Sequence, residues 1–145
     1  MTQLRSLLEE RGFYRIPLKK LVSGHYRLTA KINNRKGIFI VDTGASTSCI
    51  GFESIDYFFL KNEKSEVTAA GAGAVNMKTE VARKNHISIG TWQSKNMDFV
   101  LFDLSHVNEA LQQVAEDPVH GIIGADFLKS TRAVIDYGRN CMYVL

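Results

Sequence analysis

The chain has 145 residues, of which 45% are hydrophobic and 23% charged, and its formal net charge at pH 7 is +3. This length suits one globular domain with a hydrophobic core of its own and is short for two domains. The small positive charge is scattered and lacks the interleaved aromatic residues that stack on bases, so we expect no nucleic-acid partner. No apolar run approaches the ~20 residues that a membrane-spanning helix needs, so we expect no membrane partner either.

The amino-terminal residues and the cysteines bear on the cellular compartment. Residues 9–11 are charged, at a place where a secretory signal peptide is apolar, which predicts a cytoplasmic protein. In that reducing compartment, Cys49 and Cys141 are expected to be buried free thiols, since neither lies in a metal-binding spacing. The histidines are dispersed along the chain, so we predict no metal site and no cofactor.

The predicted elements begin with a short helix and continue mostly as strands. Leu4, Leu7 and Leu8 recur at helical spacing before Gly12, which predicts a short amino-terminal helix. Alternating or apolar stretches predict strands at 18–22, 25–32, 38–41, 47–50, 66–70, 74–89, 98–104 and 121–123, and a final hairpin at 133–145. Strand 38–41 is entirely apolar and is expected to be buried on both faces.

Helices interrupt this series of strands. We predict a helical turn within 53–60, a short helix at 126–130, and a longer helix at 105–117 that is capped by Ser105 and ended by Pro118. The apolar face of the longer helix consists of Val107, Ala110, Leu111 and Val114. Because most of the chain forms short, closely spaced strands, the sequence predicts a β barrel or a β sandwich.

The tripeptide Asp42-Thr43-Gly44 directly follows the apolar strand 38–41. A carboxylate at the edge of an apolar interior loses hydration that only specific partners can replace. One interpretation is an Asx-turn, in which the carboxylate accepts hydrogen bonds from the following backbone amides. Another is a phosphate-binding hairpin like that of actin-like kinases, where small residues let backbone amides approach a phosphate. That second architecture needs two domains around a nucleotide cleft, and this chain is too short for two domains.

Three stretches in order decide between these interpretations. GIFIVDTGAS, from Gly37 to Ser46, resembles the active-site motif of aspartic proteases. HGIIGADFL resembles the second motif of the same group, in which a hydrophobic pair, Ile122 and Ile123, precedes Gly124. VTAAGAGAVNMKTEV, between them, is similar to the glycine-rich flap hairpin that closes over substrate. Since the chain has a single Asp-Thr-Gly, the resemblance is to the single-lobe retropepsin-like enzymes, such as retroviral proteases, which act as homodimers.

The resemblance implies a fold and a domain organisation. The fold is mostly β: a closed retropepsin-like acid-protease barrel lobe with a flap hairpin and a few short helices. The likeness extends from about Tyr26 to the carboxyl terminus. We therefore expect an amino-terminal extension at 1–24, with a short helix and a strand, and a retropepsin-like aspartic protease domain at 25–145.

The resemblance also implies an activity, that of an aspartic endopeptidase. Asp42 of each subunit in a symmetric homodimer would hold a water molecule between the two carboxyls, which share one proton because both cannot ionise at close range. Thr43 would form a hydrogen bond across the two-fold axis, and Gly44 would leave room for the substrate backbone. Ala45 stands where pepsins more often have serine, and the missing hydroxyl should raise the lower pKa of the pair.

Further residues are assigned to substrate binding by the same resemblance. They are Ala45 and Ser46 after the catalytic motif, Ala70, Gly71, Ala72 and Gly73 at the flap, and Val119 and Ile122 on the pocket wall. An alternative keeps the fold without the activity, as a catalytically silent dimeric module that binds peptides or acts as a scaffold. The intact Asp-Thr-Gly favours the enzyme, because a scaffold has no need of a carboxylate pair that destabilises its own interface.

Overall fold

The computed structural model describes residues 3–64, 69–71 and 74–145. Two flap residues named above, Ala72 and Gly73, lie outside this part of the chain, as does most of the strand expected at 66–70. The helices are α1 (Gln3–Glu10), α2 (Ser105–Gln113) and α3 (Ala125–Ser130). The strands are β1 (Tyr14–Pro17), β2 (Lys19–Lys20), β3 (Tyr26–Ile32), β4 (Arg35–Val41), β5 (Cys49–Gly51), β6 (Asn62–Lys64), β7 (Ala69–Gly71), β8 (Ala74–Met77), β9 (Glu80–Ile89), β10 (Trp92–Phe102), β11 (Gly121–Ile123), β12 (Val134–Asp136) and β13 (Cys141–Val144).

Six strands close into a barrel in the order β3-β4-β11-β5-β10-β9. The ring is completed by β9 and β3, where Lys31 lies opposite Ser88 and Ile32 opposite Ile87. Strands β4 and β11 run parallel, as do β5 and β10, whereas the other pairs in the ring are antiparallel. Of the two predicted architectures, the barrel is therefore the one that forms.

Large aromatic side chains fill the barrel interior. Phe39 stacks with Phe58 and Phe99 at ring-centroid distances of 6.2 and 6.4 Å, and none of the three rings is exposed. Phe39 belongs to the stretch 38–41 that was predicted to be buried on both faces. Its two central residues are buried and its two end residues half-buried, so that prediction is correct for the middle of the strand.

A separate three-stranded sheet, in the order β1-β13-β12, joins the two ends of the chain. On one face of β13, Met142 and Val144 belong to the main core together with Ile16 of β1. On the other face, Cys141 and Tyr143 are covered by Leu8 of α1. Residues before position 25 thus pack as part of the same fold, and the expected boundary at residue 24 stays a prediction.

Several predicted strands have different limits in the structure; the stretch 18–22, for example, contributes only Lys19–Lys20. The stretch 74–89 forms two strands, β8 and β9, instead of one. Strand β10 begins at Trp92 and not at 98, since Gly90, with a φ of 59°, makes the turn that joins β9 and β10 into a long hairpin. The polar residues at the start of β10 lie largely on its exposed face, which hides the strand from an analysis based on apolar runs.

The longer helix differs from the prediction at both ends. Its cap position is Leu104 rather than Ser105, and the Asp103 carboxylate accepts hydrogen bonds from the Ser105 backbone and hydroxyl. The helix ends at Gln113, before Pro118, because the chain turns at Ala115 with a left-handed φ of 58°. Leu111 is buried on its inner face, whereas Val114 is 41% exposed.

The flap hairpin and the cysteines agree with the sequence. Strands β7 and β8 pair antiparallel, with Ala69 opposite Met77 and Gly71 opposite Ala74. Cys49 and Cys141 are buried free thiols, as predicted. In the described part of the chain, no helix combines the length and the hydrophobicity required to cross a membrane.

Candidate active site

Asp42 lies at the end of β4, on a turn whose backbone is held from two sides. The Asp42 amide donates to the carbonyl oxygen of Ile123 at 2.9 Å, which continues the pairing of β4 with β11. The Gly44 amide donates to Asp42 Oδ1 at 2.9 Å, and the Ala45 amide donates to the Asp42 carbonyl oxygen at 3.2 Å. The Asx-turn inferred from the sequence is therefore present, and it orients the carboxylate of the candidate catalytic residue.

The turn lies on the surface of the single chain. Asp42, Thr43 and Gly44 are exposed, although Ile40, two residues before the carboxylate, is 4% exposed. The carboxylate therefore does not enter the apolar interior. Gly44 does not have a left-handed φ, and a side chain there would first meet Asp42 Oδ1 at 3.3 Å. The absence of a side chain at Gly44 leaves the space directly beside the carboxylate open.

The second motif packs against the first. The Ala125 amide, at the start of α3, donates to the carbonyl oxygen of Ala45 at 2.7 Å. A Cβ atom at Gly124 would lie 2.7 Å from the same oxygen and 2.9 Å from the carbonyl oxygen of Thr47. Only glycine fits this close approach without a backbone shift. The glycine of the predicted hydrophobic-hydrophobic-glycine motif thus serves to bring α3 against the Asp42 turn.

Ser48 and Asp126 complete this junction, and sequence reasoning did not identify either residue. Asp126 Oδ1 accepts hydrogen bonds from the Ser48 amide at 2.9 Å, from the Ser48 hydroxyl at 2.7 Å and from the Phe127 amide at 2.8 Å. The Ser48 hydroxyl oxygen accepts a hydrogen bond from the Gly124 amide at 2.9 Å. The sequence signal that could have identified Asp126 is its position as an acidic residue in the first turn of α3, directly after the second motif.

A cavity of about 200 Å³ opens beside the carboxylate. Its lining consists of Leu18, Gly24, His25, Tyr26, Val41, Asp42, Thr43, Ile135 and Tyr137. Tyr26 and Tyr137 form one side of it, with ring centroids 5.6 Å apart, and Tyr26 is fixed by a 3.0 Å hydrogen bond from its hydroxyl to Asn140 Oδ1. The structure therefore places residues from β3 and β12 beside Asp42 that the sequence did not assign to the site.

The predicted substrate-binding residues do not all gather around this cavity. Ser46 is exposed next to the turn, and Ala45 is half-buried against an apolar cluster. Val119 and Ile122 are buried in that same cluster, at 5% and 9% exposure. Val119 also borders a second cavity, of about 620 Å³, between α2 and the 3-10 turn Phe52–Ser54, whose lining does not include Asp42.

Two of the four predicted flap residues, Ala70 and Gly71, lie at the end of β7 in the hairpin described above. Ala72 and Gly73 lie outside the described residues. The contacts of the flap with a substrate therefore stay a prediction.

His120 lies beside Ile38, in the middle of β4. Its ring stacks on Tyr57 at 5.4 Å, and its Nδ1 accepts a hydrogen bond from the Ile38 amide at 3.0 Å. Burial lowers the pKa of His120 below the ordinary value of 6.5. The bond from Ile38 requires an unprotonated Nδ1, so the neutral ring is the form that fits this position.

Two further observations concern a reactive thiol and a metal site. Burial raises the pKa of Cys49 to about 12, so this thiol stays protonated and does not supply a thiolate nucleophile. Among the described residues, no three His, Cys, Asp or Glu side chains are arranged to hold a metal ion. The Asp42 carboxylate, by contrast, is exposed and accepts a hydrogen bond from the Gly44 amide.

Sequence and structure comparisons point to one family. The family model described as "Aspartyl protease" matches residues 28–127. A retropepsin-like aspartic protease from Rickettsia conorii matches with a TM-score of 0.57 and 21% identity, over 91% of this chain and 90% of that one. No curated protein sequence matches the chain.

Two further solved structures share the same architecture. The retroviral protease-like domain of Ddi1 from Leishmania major has a TM-score of 0.57 and 16% identity, over 81% of this chain and 86% of that one. EIAV protease, in complex with the inhibitor HBY-793, has a TM-score of 0.58 and 19% identity, over 81% of this chain and 98% of that one. The predicted retropepsin-like fold is therefore confirmed.

Proposed function

Because the chain belongs to the aspartyl protease family, we propose that it is an aspartic endopeptidase that acts as a symmetric homodimer. The observation that carries the proposal is the geometry of Asp42. Its carboxylate is exposed, is oriented by the Gly44 amide at 2.9 Å, and lies on a turn held between β4 and β11. A residue oriented in this way is prepared to face a second carboxyl group.

The dimer follows from the number of carboxylates that the reaction needs. Aspartic proteolysis uses one ionised and one protonated carboxyl group, and this chain has a single Asp-Thr-Gly. Two copies related by a two-fold axis would bring Asp42 of each close together, where they share one proton because two like charges cannot both form at short range. The titration then belongs to the pair and not to either residue.

The proposed mechanism uses the two carboxyls in turn. The ionised Asp42 takes a proton from the bound water, whose oxygen bonds to the carbon of the scissile carbonyl, while the protonated Asp42 gives its proton to the carbonyl oxygen. In the second step one carboxyl recovers a proton from a hydroxyl of this intermediate, and the other protonates the amine nitrogen. The C–N bond then breaks, and the pair again holds one proton.

The remaining residues of the site enter as proposals of the same kind. Thr43 would form a hydrogen bond across the two-fold axis, while Ser46 and Ala45 would lie along the substrate backbone. The flap residues Ala70, Gly71, Ala72 and Gly73 would cover the peptide, and Val119 and Ile122 would border its side chains. A protein or peptide substrate and a cytoplasmic location complete the proposal.

The test is cleavage of a mixed peptide library by the purified protein, with and without a pepstatin-type inhibitor. Wild-type protein should cleave, and the inhibitor should stop it. Asp42→Asn should abolish cleavage and leave folding and dimerisation intact or slightly stronger, because the pair no longer repels itself. Asp56→Asn, which changes an exposed carboxylate on the 3-10 turn region, is the matched control and should cleave at the wild-type rate. Cleavage by Asp42→Asn at a near wild-type rate would exclude the proposal.

A further inference from the structure

The side chain at position 59 does not suit the backbone conformation there. The Phe59 amide donates to the carbonyl oxygen of Asp56 at 3.2 Å. The Leu60 amide donates to the carbonyl oxygen of Ile55 at 2.9 Å, which completes the Schellman pattern that ends a helical segment. Phe59 has a left-handed φ of 55°, at the residue where this pattern usually has glycine. Because this conformation is costly for a bulky residue, the backbone gives no reason for a phenylalanine.

Packing in the core does not explain the phenylalanine either. Phe59 is 64% exposed, whereas the neighbouring Phe58 has no exposed surface. The guanidinium of Arg35 lies 5.2 Å from the centre of the Phe59 ring. An exposed aromatic ring on a strained backbone is typical of a binding site, where contact with a ligand offsets the cost of the strain.

Arg35 packs on aromatic rings and has no acidic partner in the described part of the chain. Its guanidinium lies 4.6 Å from the centre of the Tyr57 ring and 5.2 Å from that of the Phe59 ring. Arg35 is exposed, and the ion pairs among the described residues do not include it. A guanidinium that stacks on a ring keeps N–H groups at its edge, where they can donate to both oxygens of a carboxylate. Arg35 is therefore an oriented cation that is available to an anionic group.

A basic cavity of about 520 Å³ borders the same phenylalanine. Its lining consists of Asn33, Phe59, Lys61, Glu63, Arg83, Lys84 and Asn85. Glu63 lies 3.5 Å from the Arg83 guanidinium, so these two charges balance each other. Lys61 and Lys84 are exposed and form no ion pair within the described residues. Two further cations are therefore available beside Phe59.

We propose that an acidic protein segment binds to this surface, which we name the Phe59 site and which consists of Arg35, Phe59, Lys61 and Lys84. Carboxylates of the segment pair with the three cations, and an apolar side chain of the segment packs on the Phe59 ring. The lining of the basic cavity shares no residue with that of the cavity beside Asp42, so this inference stands apart from the proposed enzymatic function.

An extended peptide fits the Phe59 site better than a nucleic acid does. Strand β6 follows directly after Lys61, pairs only with β9 in the described part of the chain, and has three exposed residues. Its outer edge therefore presents backbone N–H and C=O groups to which an extended segment can add. Single-stranded nucleic acid needs several rings on which successive bases stack. Among the described residues that line this cavity, Phe59 is the one aromatic residue.

The test measures the binding of labelled probes by fluorescence anisotropy. Every protein carries Asp42→Asn, so that cleavage does not consume the probes. Glutamate alternates with leucine in the acidic peptide, lysine alternates with leucine in the basic peptide, and a single-stranded oligothymidylate is the third probe. The acidic peptide should bind, and the basic peptide should not, because the available charges of the site are positive.

Three further substitutions locate the binding surface. Arg35→Gln and Phe59→Gly should each weaken binding of the acidic peptide at least about fivefold. Lys95→Gln is the matched control for Arg35→Gln, because it removes an exposed cation that does not line the cavity, and it should bind as before. Phe59→Gly should also keep or raise the urea midpoint of unfolding, since glycine adopts the left-handed conformation without strain.

The possible results separate binding from other roles of these residues. The proposal would be overturned if the acidic peptide does not bind, if both peptides bind equally, or if Arg35→Gln and Lys95→Gln weaken binding equally. Tighter binding of the oligothymidylate than of the acidic peptide would show a nucleic-acid site and overturn it as well. A lower urea midpoint in Phe59→Gly would show that the ring serves folding, and this outcome too would contradict the assignment.

Discussion

The Ser48 hydroxyl donates a hydrogen bond to Asp126 Oδ1 at 2.7 Å and so connects the segment after the Asp42 turn with helix α3, 78 residues further along the chain. Ser48 has no exposed surface. The same hydroxyl oxygen accepts the Gly124 amide, and Asp126 Oδ1 also accepts two backbone amides. Together with the bond from the Ala125 amide to the Ala45 carbonyl oxygen, this contact holds the Asp42 turn against the second motif.

Removing this hydroxyl should destabilise the protein measurably. Ser48→Ala leaves the Gly124 amide without its acceptor and Asp126 with one donor fewer, in a buried place. A buried polar group that loses its partner costs about 1–3 kcal/mol, so the free energy of unfolding in urea should fall by that amount. Ser46→Ala, a change at an exposed position two residues away, should stay within about 0.5 kcal/mol of wild type. Equal stability of the two variants would contradict the structural role of Ser48.

Specific activity should depend on protein concentration. If one Asp42 supplies half of the site, the rate per chain follows the fraction of dimer and falls when the protein is diluted below the dimer dissociation constant. Activity and sedimentation measured over the same dilution series should give the same midpoint. A monomer that cleaves with constant specific activity would contradict the shared site.

Residue 45 should influence the acid limb of the pH–rate profile. Ala45 offers no hydroxyl to the ionised pair, so we expect an acid limb above that of pepsin-like enzymes and activity from mildly acidic to near-neutral pH. Ala45→Ser adds a donor that stabilises the ionised form, lowers the pKa of the pair and moves the acid limb to lower pH. Profiles should be recorded well above the dimer dissociation constant at each pH, because association also responds to carboxylate protonation. An acid limb that stays in place or moves upward would assign the proton affinity of the pair to other groups.

His120 should make stability depend on pH. Since burial lowers the pKa of the folded-state ring below 6.5, the unfolded chain takes up this proton first as the pH falls. The contribution of neutral His120 is therefore complete above about pH 6.5 and is lost as the pH falls through the lower, folded-state pKa. Protonation also removes the acceptor for the Ile38 amide.

A pair of variants measures this contribution. His120→Gln keeps an acceptor but does not titrate, so its free energy of unfolding should change less than that of wild type between pH 7 and pH 5. His106→Gln, at an exposed position on α2, should keep the wild-type dependence. Identical pH profiles for wild type and His120→Gln would show that other groups control stability in this range.

Features whose partners are close in the chain could be predicted from the sequence. The Asp42 turn was recognisable because its hydrogen bond runs from the Gly44 amide to the Asp42 carboxylate, only two residues away. Helix α1 and strands β3 and β4 follow from local periodicity for the same reason. The family also followed from short motifs, because Asp-Thr-Gly and the hydrophobic pair before Gly124 are contiguous stretches.

Other features depend on which distant segments meet. The seam between β3 and β9, the bond from Ser48 to Asp126 and the pairing of Tyr14 with Val144 join residues far apart in the chain. The pairing of distant segments carries no local sequence signature. The sequence analysis therefore did not place the amino-terminal strand, and it did not identify Tyr26 and Tyr137 as neighbours of Asp42. The sequence by itself determined the chemistry of the turn and the class of fold. The tertiary structure decided which side chains surround that turn, because their positions depend on long-range strand pairing.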